Sequence, residues 1–298
     1  MKILLFGKSG QVGWELQRSL APLGELVSLG SASLELCGDL RNLEGIAKTV
    51  RAVSPDVIVN AAAHTAVDKA ESEPEAAEVL NSRGPEALAK AALQCGALLV
   101  HYSTDYVFDG SGTLPWTELD PTGPLSVYGR TKLAGEMAIQ SSGCRHFIFR
   151  TSWVYSARGK NFARTILKLA AEREKLSVIA DQFGAPTGAD LLADVTAHTL
   201  RQGHRDNSLC GIYHLCSGGE TSWHGYATFA CDFARQAGVP LKVESIEAVP
   251  TTAFPTPAHR PLNSRLDTSK LRSVFDLNLP NWQSGVDRML QEILPPNP

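Results

Sequence analysis

An α/β fold, with strands and helices alternating around a doubly wound parallel sheet, is predicted by three features of this chain. Short β-rich apolar runs alternate with amphipathic stretches as far as residue 151. One run, Val57 to Asn60, is strand-prone without alternating polarity, as in a strand covered on both faces. The first run, Lys2 to Phe6, leads into glycines at 7, 10 and 13 and then into the amphipathic segment Trp14 to Leu20. Strand, tight glycine turn and helix in that order open a Rossmann-type dinucleotide-binding unit.

In Gly7-Lys8-Ser9-Gly10-Gln11-Val12-Gly13 the glycines let the backbone turn sharply and approach a pyrophosphate, while helix N-terminal amides face the phosphates. The spacing differs by one residue from G-x-G-x-x-G and points to a short-chain reductase lineage. Lys8-Ser9 lacks the upstream glycine of a phosphate-transfer loop, which argues against an ATPase. Leu26 to Leu29 reads as the second strand, whose end meets the adenosine ribose. Gly30, Ser31 and Ser33 stand there, with neither an acid to repel a 2′-phosphate nor an arginine to clamp one. Use of both NADPH and NADH follows as the expectation.

Gly38-Asp39-Leu40 precedes a helix over Leu43 to Val53, and Asp39 reads equally as an acceptor for the adenine amino group or as a turn residue. After the third strand, Val57 to Asn60, the small residues Ala61, Ala62 and Ala63 leave room for a cofactor, with His64 and Thr65 beside them. His64 reads as structural or cofactor-lining rather than as a base. A helix from Pro74 to about Gln94, interrupted at Pro85, leads to the fourth strand, Ala97 to Tyr102, and to Ser103-Thr104-Asp105. An irregular proline-rich crossing then reaches a helix over Tyr128 to Ala138 and a fifth strand over Phe147 to Thr151.

The helix at Tyr128 carries the chemistry. Tyr128 and Lys132 lie one turn apart on one face. A neighbouring ammonium favours phenolate, and about 4 kcal/mol of such preference brings a phenol from pKa ~10 to roughly 7. A Thr104 hydroxyl at the end of the preceding strand can share the polarisation of a substrate carbonyl.

Beyond Trp153 the rhythm loosens. Helices are expected over Asn161 to Arg173, Ala189 to Leu200, Trp223 to Ala237 and Trp282 to Ile293, with extended pieces at Leu176 to Ile179, Ile212 to Leu215 and Val243 to Ile246. The division expected is a nucleotide-binding domain over 1–155, joined again by parts of 176–215. A smaller, discontinuous α/β substrate-binding lobe makes up most of 156–298, with the cleft between them as the site. Arg260, in the proline-rich stretch from Pro250 to Pro261, reads either as a cationic fork for a diphosphate or as a surface arginine.

The net charge of the 298 residues is −3, from 28 Lys+Arg against 31 Asp+Glu, which argues against a nonspecific nucleic-acid binder. No apolar run approaches the ~20 residues of a membrane span. The six cysteines lack metal spacing and read as reduced thiols of a cytoplasmic protein.

Six motifs, Gly7 to Gly13, Asn60 to Asp68, Ser103 to Phe108, Tyr128 to Leu133, Arg150 to Trp153 and Phe183 to Thr187, together resemble those of the dTDP-4-dehydrorhamnose reductases, extended short-chain dehydrogenases. The resemblance runs from Met1 to about Leu294. It implies NAD(P)H-dependent reduction of a dTDP-4-keto sugar, the last step to dTDP-rhamnose, the activated sugar used for lipopolysaccharide O-antigen. By it, Tyr128 donates the proton, Lys132 holds the nicotinamide ribose and lowers the phenol's pKa, and Thr104 polarises the carbonyl. Gly10, Gln11, Val12, Asp39, Leu40, Ala63, His64, Thr65 and Tyr102 line the cofactor; Asp105 and Trp153 join Thr104 and Tyr128 at the substrate.

Relatives described as Mg2+-linked homodimers use glutamates that match Glu15, Asp190 and Glu292, the middle one shorter here. From their residues alone all three read as solvated surface acids. Asp105-Tyr106 replaces the Asp-Glu pair that sugar dehydratases use to eliminate water, which favours a reductase. Two other readings are a noncatalytic cofactor-binding subunit, such as the regulatory subunit of methionine adenosyltransferase, and a nucleotide-sugar epimerase. Retention of Thr104, Tyr128 and Lys132 argues against the first; purification without bound NAD would argue against the second.

Overall fold

The computed structural model describes residues 1–294. Its central sheet holds β1 (Lys2–Phe6), β2 (Glu25–Leu29), β3 (Val57–Asn60), β4 (Leu98–Thr104), β5 (His146–Thr151) and β10 (Gly211–His214). They lie in the order β10-β5-β4-β3-β1-β2 and pair in parallel throughout. Successive side chains of a strand point to opposite faces. Ile3 and Leu5 therefore pack with α1 (Gln11–Leu20), α8 (Ala189–Gly203) and α10 (Ser269–Phe275), while Leu4 and Phe6 pack with α2 (Leu43–Val53), α5 (Gly84–Cys95) and α6 (Val127–Ser142).

The chain leaves β1 for β2 on one side and returns to β3 on the other, so a crevice opens at the carboxyl ends where the winding reverses. Gly7, at φ +87°, makes the turn into it. A Cβ on Gly7 would lie 2.6 Å from the Ala62 nitrogen, and one on Gly13 2.0 Å from the Gly7 oxygen. Neither position has room for a side chain.

Three segments differ from the sequence-based expectation. The helix expected from Pro74 to Gln94 is three pieces, α4 (Pro74–Glu78), a π-helical turn over Val79–Arg83, and α5, with a separate α3 (Val67–Ser72) before them. Pro74 and Pro85 lack the amide hydrogen that would continue a preceding helix, so each stands in the first turn of a new one. The fourth strand runs on through Thr104, because Ser103 and Thr104 pair with Arg150 and Thr151. The extended piece at 176–179 does not rejoin the sheet: β7 (Lys175–Ile179) pairs with β12 (Ser245–Val249). From the stretch 176–215, α8 and β10 join the sheet side instead.

Two short ladders, β6 (Val154–Tyr155) with β9 (Thr187–Gly188) and β8 (Phe183–Gly184) with β11 (Thr221–Ser222), connect the sheet to the second lobe. That lobe packs α7 (Phe162–Glu172), α9 (Trp223–Gln236) and α11 (Trp282–Ile293) around Tyr226, Trp282 and Met289. Among the described residues no helix is long and apolar enough to cross a membrane.

Candidate active site

The glycine turn delivers α1 into the crevice with Gly10 as its N-cap and no side chain capping it. The first amides of α1 are thereby left for an outside anion. Ala61 to His64, half-buried, form the opposite wall, with Thr65 exposed beyond them. The π-helical turn fixes that wall: buried Asn81 accepts from the His64 amide at 2.8 Å and donates to the His64 carbonyl at 3.0 Å and to Thr131 Oγ1 at 3.1 Å. Gln11 donates to the Lys160 carbonyl, tying the turn to the second lobe.

α6 starts at Ser126, whose hydroxyl accepts from the Gly129 amide, and ends at Gly143 at φ +74°. It lays Tyr128 and Lys132 along the end of β4. The Tyr128 phenol is half-buried, lies close to Thr104 and meets the Tyr106 ring edge to face at 5.6 Å. Burial pushes its pKa above the ordinary value, with the Thr104 hydroxyl opposing. This corrects the direction expected from Lys132. The Lys132 ammonium is enclosed instead, donating to the Tyr102 carbonyl and lying 3.3 Å from Nε2 of His101, and burial lowers it to about 8.

Thr104 is placed differently from the expected carbonyl donor. Its Oγ1 donates to Asp105 Oδ1 at 3.0 Å and accepts from the Tyr106 amide at 3.2 Å, so its hydrogen is committed. Asp105 is buried, and burial raises its carboxyl to about 6 against hydrogen bonds from Ser264 and Thr104. Its Oδ2 has no partner among the described residues. Arg260 reaches the same cluster, bonding Asp68 at 2.7 Å close to the Tyr106 phenol. Trp153, at φ +49°, stacks 3.6 Å from Trp223 and covers Gly184, where a Cβ would lie 2.8 Å from its Cε2.

At the adenosine end, Gly30 lies against Ser9 and the half-buried Lys8 side chain, which has no ion pair among the described residues. Asp39 is taken by Arg41, whose amide and guanidinium both bond it. Two expected lining residues turn away. The Tyr102 ring sits on the α8 side, its hydroxyl 2.6 Å from Thr196 Oγ1, so only its carbonyl faces Lys132. Leu40 is buried in the core against Gly84. The acids matched to a metal do not gather: Glu15 pairs with Arg18, while Asp190 and Glu292 share Arg288. A guanidinium between the last two does not fit a cation there, and no three-residue metal cluster exists among the described residues. A cavity of about 660 Å3 lined by Pro22, Leu200, Arg201 and His204 lies at the other end of the strands, away from this chemistry.

Beneath the crevice lies a buried polar network that was not anticipated. Asn60 meets His101, and Glu136 binds Arg150 through two of its nitrogens and accepts from Ser103. Its signal in the sequence was a strongly polar residue amid or ending an apolar run in each of three strands, Asn60, His101 and Arg150.

Fold and crevice together define an oxidoreductase of the short-chain dehydrogenase class. The model of the RmlD substrate binding domain family matches residues 1–294. The dTDP-4-dehydrorhamnose reductases of Salmonella typhimurium and Escherichia coli K12 are 61% and 60% identical over 293 residues, covering 98% of each chain. Crystal structures of dTDP-4-dehydrorhamnose reductases from Clostridium acetobutylicum and, in complex with NADP, Bacillus anthracis superpose with TM-scores of 0.88 and 0.86 at 34% and 32% identity, covering 98% of this chain and 99% of theirs. This chain belongs to the dTDP-4-dehydrorhamnose reductase family.

Proposed function

We infer that this enzyme reduces the 4-keto group of dTDP-4-dehydro-β-L-rhamnose to give dTDP-β-L-rhamnose, with Tyr128 as proton donor. The observation that carries this is the meeting of Tyr128, Thr104 and Lys132 at the carboxyl end of β4. A donor must hold its proton until the alkoxide forms, and a phenol raised by burial does so at neutral pH. Thr104 orients that phenol by accepting from it, while Asp105 anchors Thr104. Tyr106 fills the place of the second acid an eliminating enzyme needs, which supports reduction over dehydration.

The residues fit a nicotinamide dinucleotide. Gly7, Gly10 and Gly13 leave a close approach to the unsatisfied amides at the start of α1, among them those of Gln11 and Val12. Gly30, Ala62, Ala63, His64 and Thr65 would flank it, and Lys132 would hold its ribose. Bound NADPH supplies the hydride. Lys8 beside an acid-free Gly30 supports NADPH over NADH. We assign the cofactor to the sheet side and the sugar nucleotide to the lobe of α7, α9 and α11, with Trp153 facing the sugar and Arg260 the diphosphate. Supplying dTDP-4-dehydro-β-L-rhamnose and NADPH and following nicotinamide absorbance tests this; dTDP-β-L-rhamnose should form, and no absorbance change would reject it.

A further inference from the structure

Lys132 has an unusual neighbour. Asn60 and His101 are register partners on β3 and β4, both buried, and their side chains meet at 3.1 Å between Nδ2 and Nδ1. The orientation of the Asn60 amide is set by its other end, since Oδ1 accepts from the Ala62 amide at 3.1 Å. The NH2 group therefore faces His101, and Nδ1 must accept. A neutral imidazole carries one N–H, so that hydrogen sits on Nε2. Nε2 in turn faces Lys132 Nζ at 3.3 Å.

Two N–H groups cannot point at each other and bond. With hydrogen on Nε2, Lys132 can bond His101 only as a neutral amine, offering its lone pair while it donates to the Tyr102 carbonyl. As an ammonium, Lys132 needs Nε2 bare, which moves the ring hydrogen to Nδ1 against the Asn60 amide and breaks that buried hydrogen bond. The other charged groups packed here, Glu136 of α6 and Arg150 of β5, bind each other.

We propose that His101, its tautomer locked by Asn60, is a positioning residue that sets the charge of Lys132 and with it the pH range of the reaction. The role in turnover rests on the function inferred above; the effect on Lys132 does not. Burial holds His101 neutral, and Lys132 itself is lowered to about 8, in keeping with the lock.

Asn60→Asp tests this, since its carboxylate accepts from Nδ1–H and frees Nε2 to receive the ammonium. His101→Gln presents an amide oxygen to Nζ, and His101→Leu presents no acceptor. Titration of the Lys132 ε-carbon by NMR in the full-length protein should show the pKa rising by about one unit, a tenfold change in proton affinity, in Asn60→Asp and His101→Gln. It should rise less far in His101→Leu, which removes the Nε2–H donor that favours the neutral amine. The basic limb of kcat/KM for keto-sugar reduction should move the same way. An unmoved Lys132 titration in the folded variants would overturn the inference, and one folded variant suffices. If the titration moves while Lys132→Met turns over normally, the inference about charge stands and the functional reading fails.

Discussion

Asp105 is a residue whose charge the fold tolerates poorly. It is buried, one of its oxygens is unpartnered, and its carboxyl is raised to about 6. The folded state thus holds a proton that the unfolded chain releases nearer pH 4. Stability from this group is present below that value and is lost as pH rises towards 6. Asp105→Asn carries no such loss. Its melting temperature relative to the parent should therefore move in its favour between pH 4 and pH 7, by the equivalent of ~1–3 kcal/mol. A constant difference across that range would contradict the assignment. The sequence placed Asp105 at the site but did not reveal this, because the shift arises from burial, opposed by Ser264, 159 positions away.

The βα turns carry cofactor choice. Strand periodicity and glycine spacing made β1, the turn and α1 legible, since both are local properties of the chain. A lysine beside Gly30 was not legible at the end of β2, because Lys8 comes from the neighbouring turn and reaches Gly30 only once β1 and β2 are paired. Arg41 is engaged by Asp39. An ammonium at a 2′-phosphate contributes about 1.5–3 kcal/mol when partly desolvated. Lys8→Ala should therefore raise KM for NADPH about tenfold or more and leave KM for NADH nearly unchanged. An equal rise for both would show that Lys8 binds the shared pyrophosphate or only supports the turn. The π-helical turn before Pro85 was legible only as an interruption, because its purpose, clamping His64 through Asn81, depends on a loop folded against it.

Across the whole molecule, contacts distant in sequence close the crevice. Arg260 bonds Asp68, the Ala258 amide approaches the same carboxylate, and Gln11 reaches Lys160. Such pairings follow from the fold and carry no local pattern, so Arg260 read either as a diphosphate fork or as a surface arginine, without its partner. The Tyr128-Lys132 spacing was readable, whereas the direction of the phenol's shift was not, because it depends on how deeply α6 packs on β4. The most direct measurement is kcat/KM for dTDP-4-dehydro-β-L-rhamnose in Tyr128→Phe, with the Kd for NADPH measured on the same protein. The expected result is a loss of about a thousandfold, ~4 kcal/mol of transition-state stabilisation, with Kd kept. Near-normal turnover would contradict the assignment and mean that another group supplies the proton.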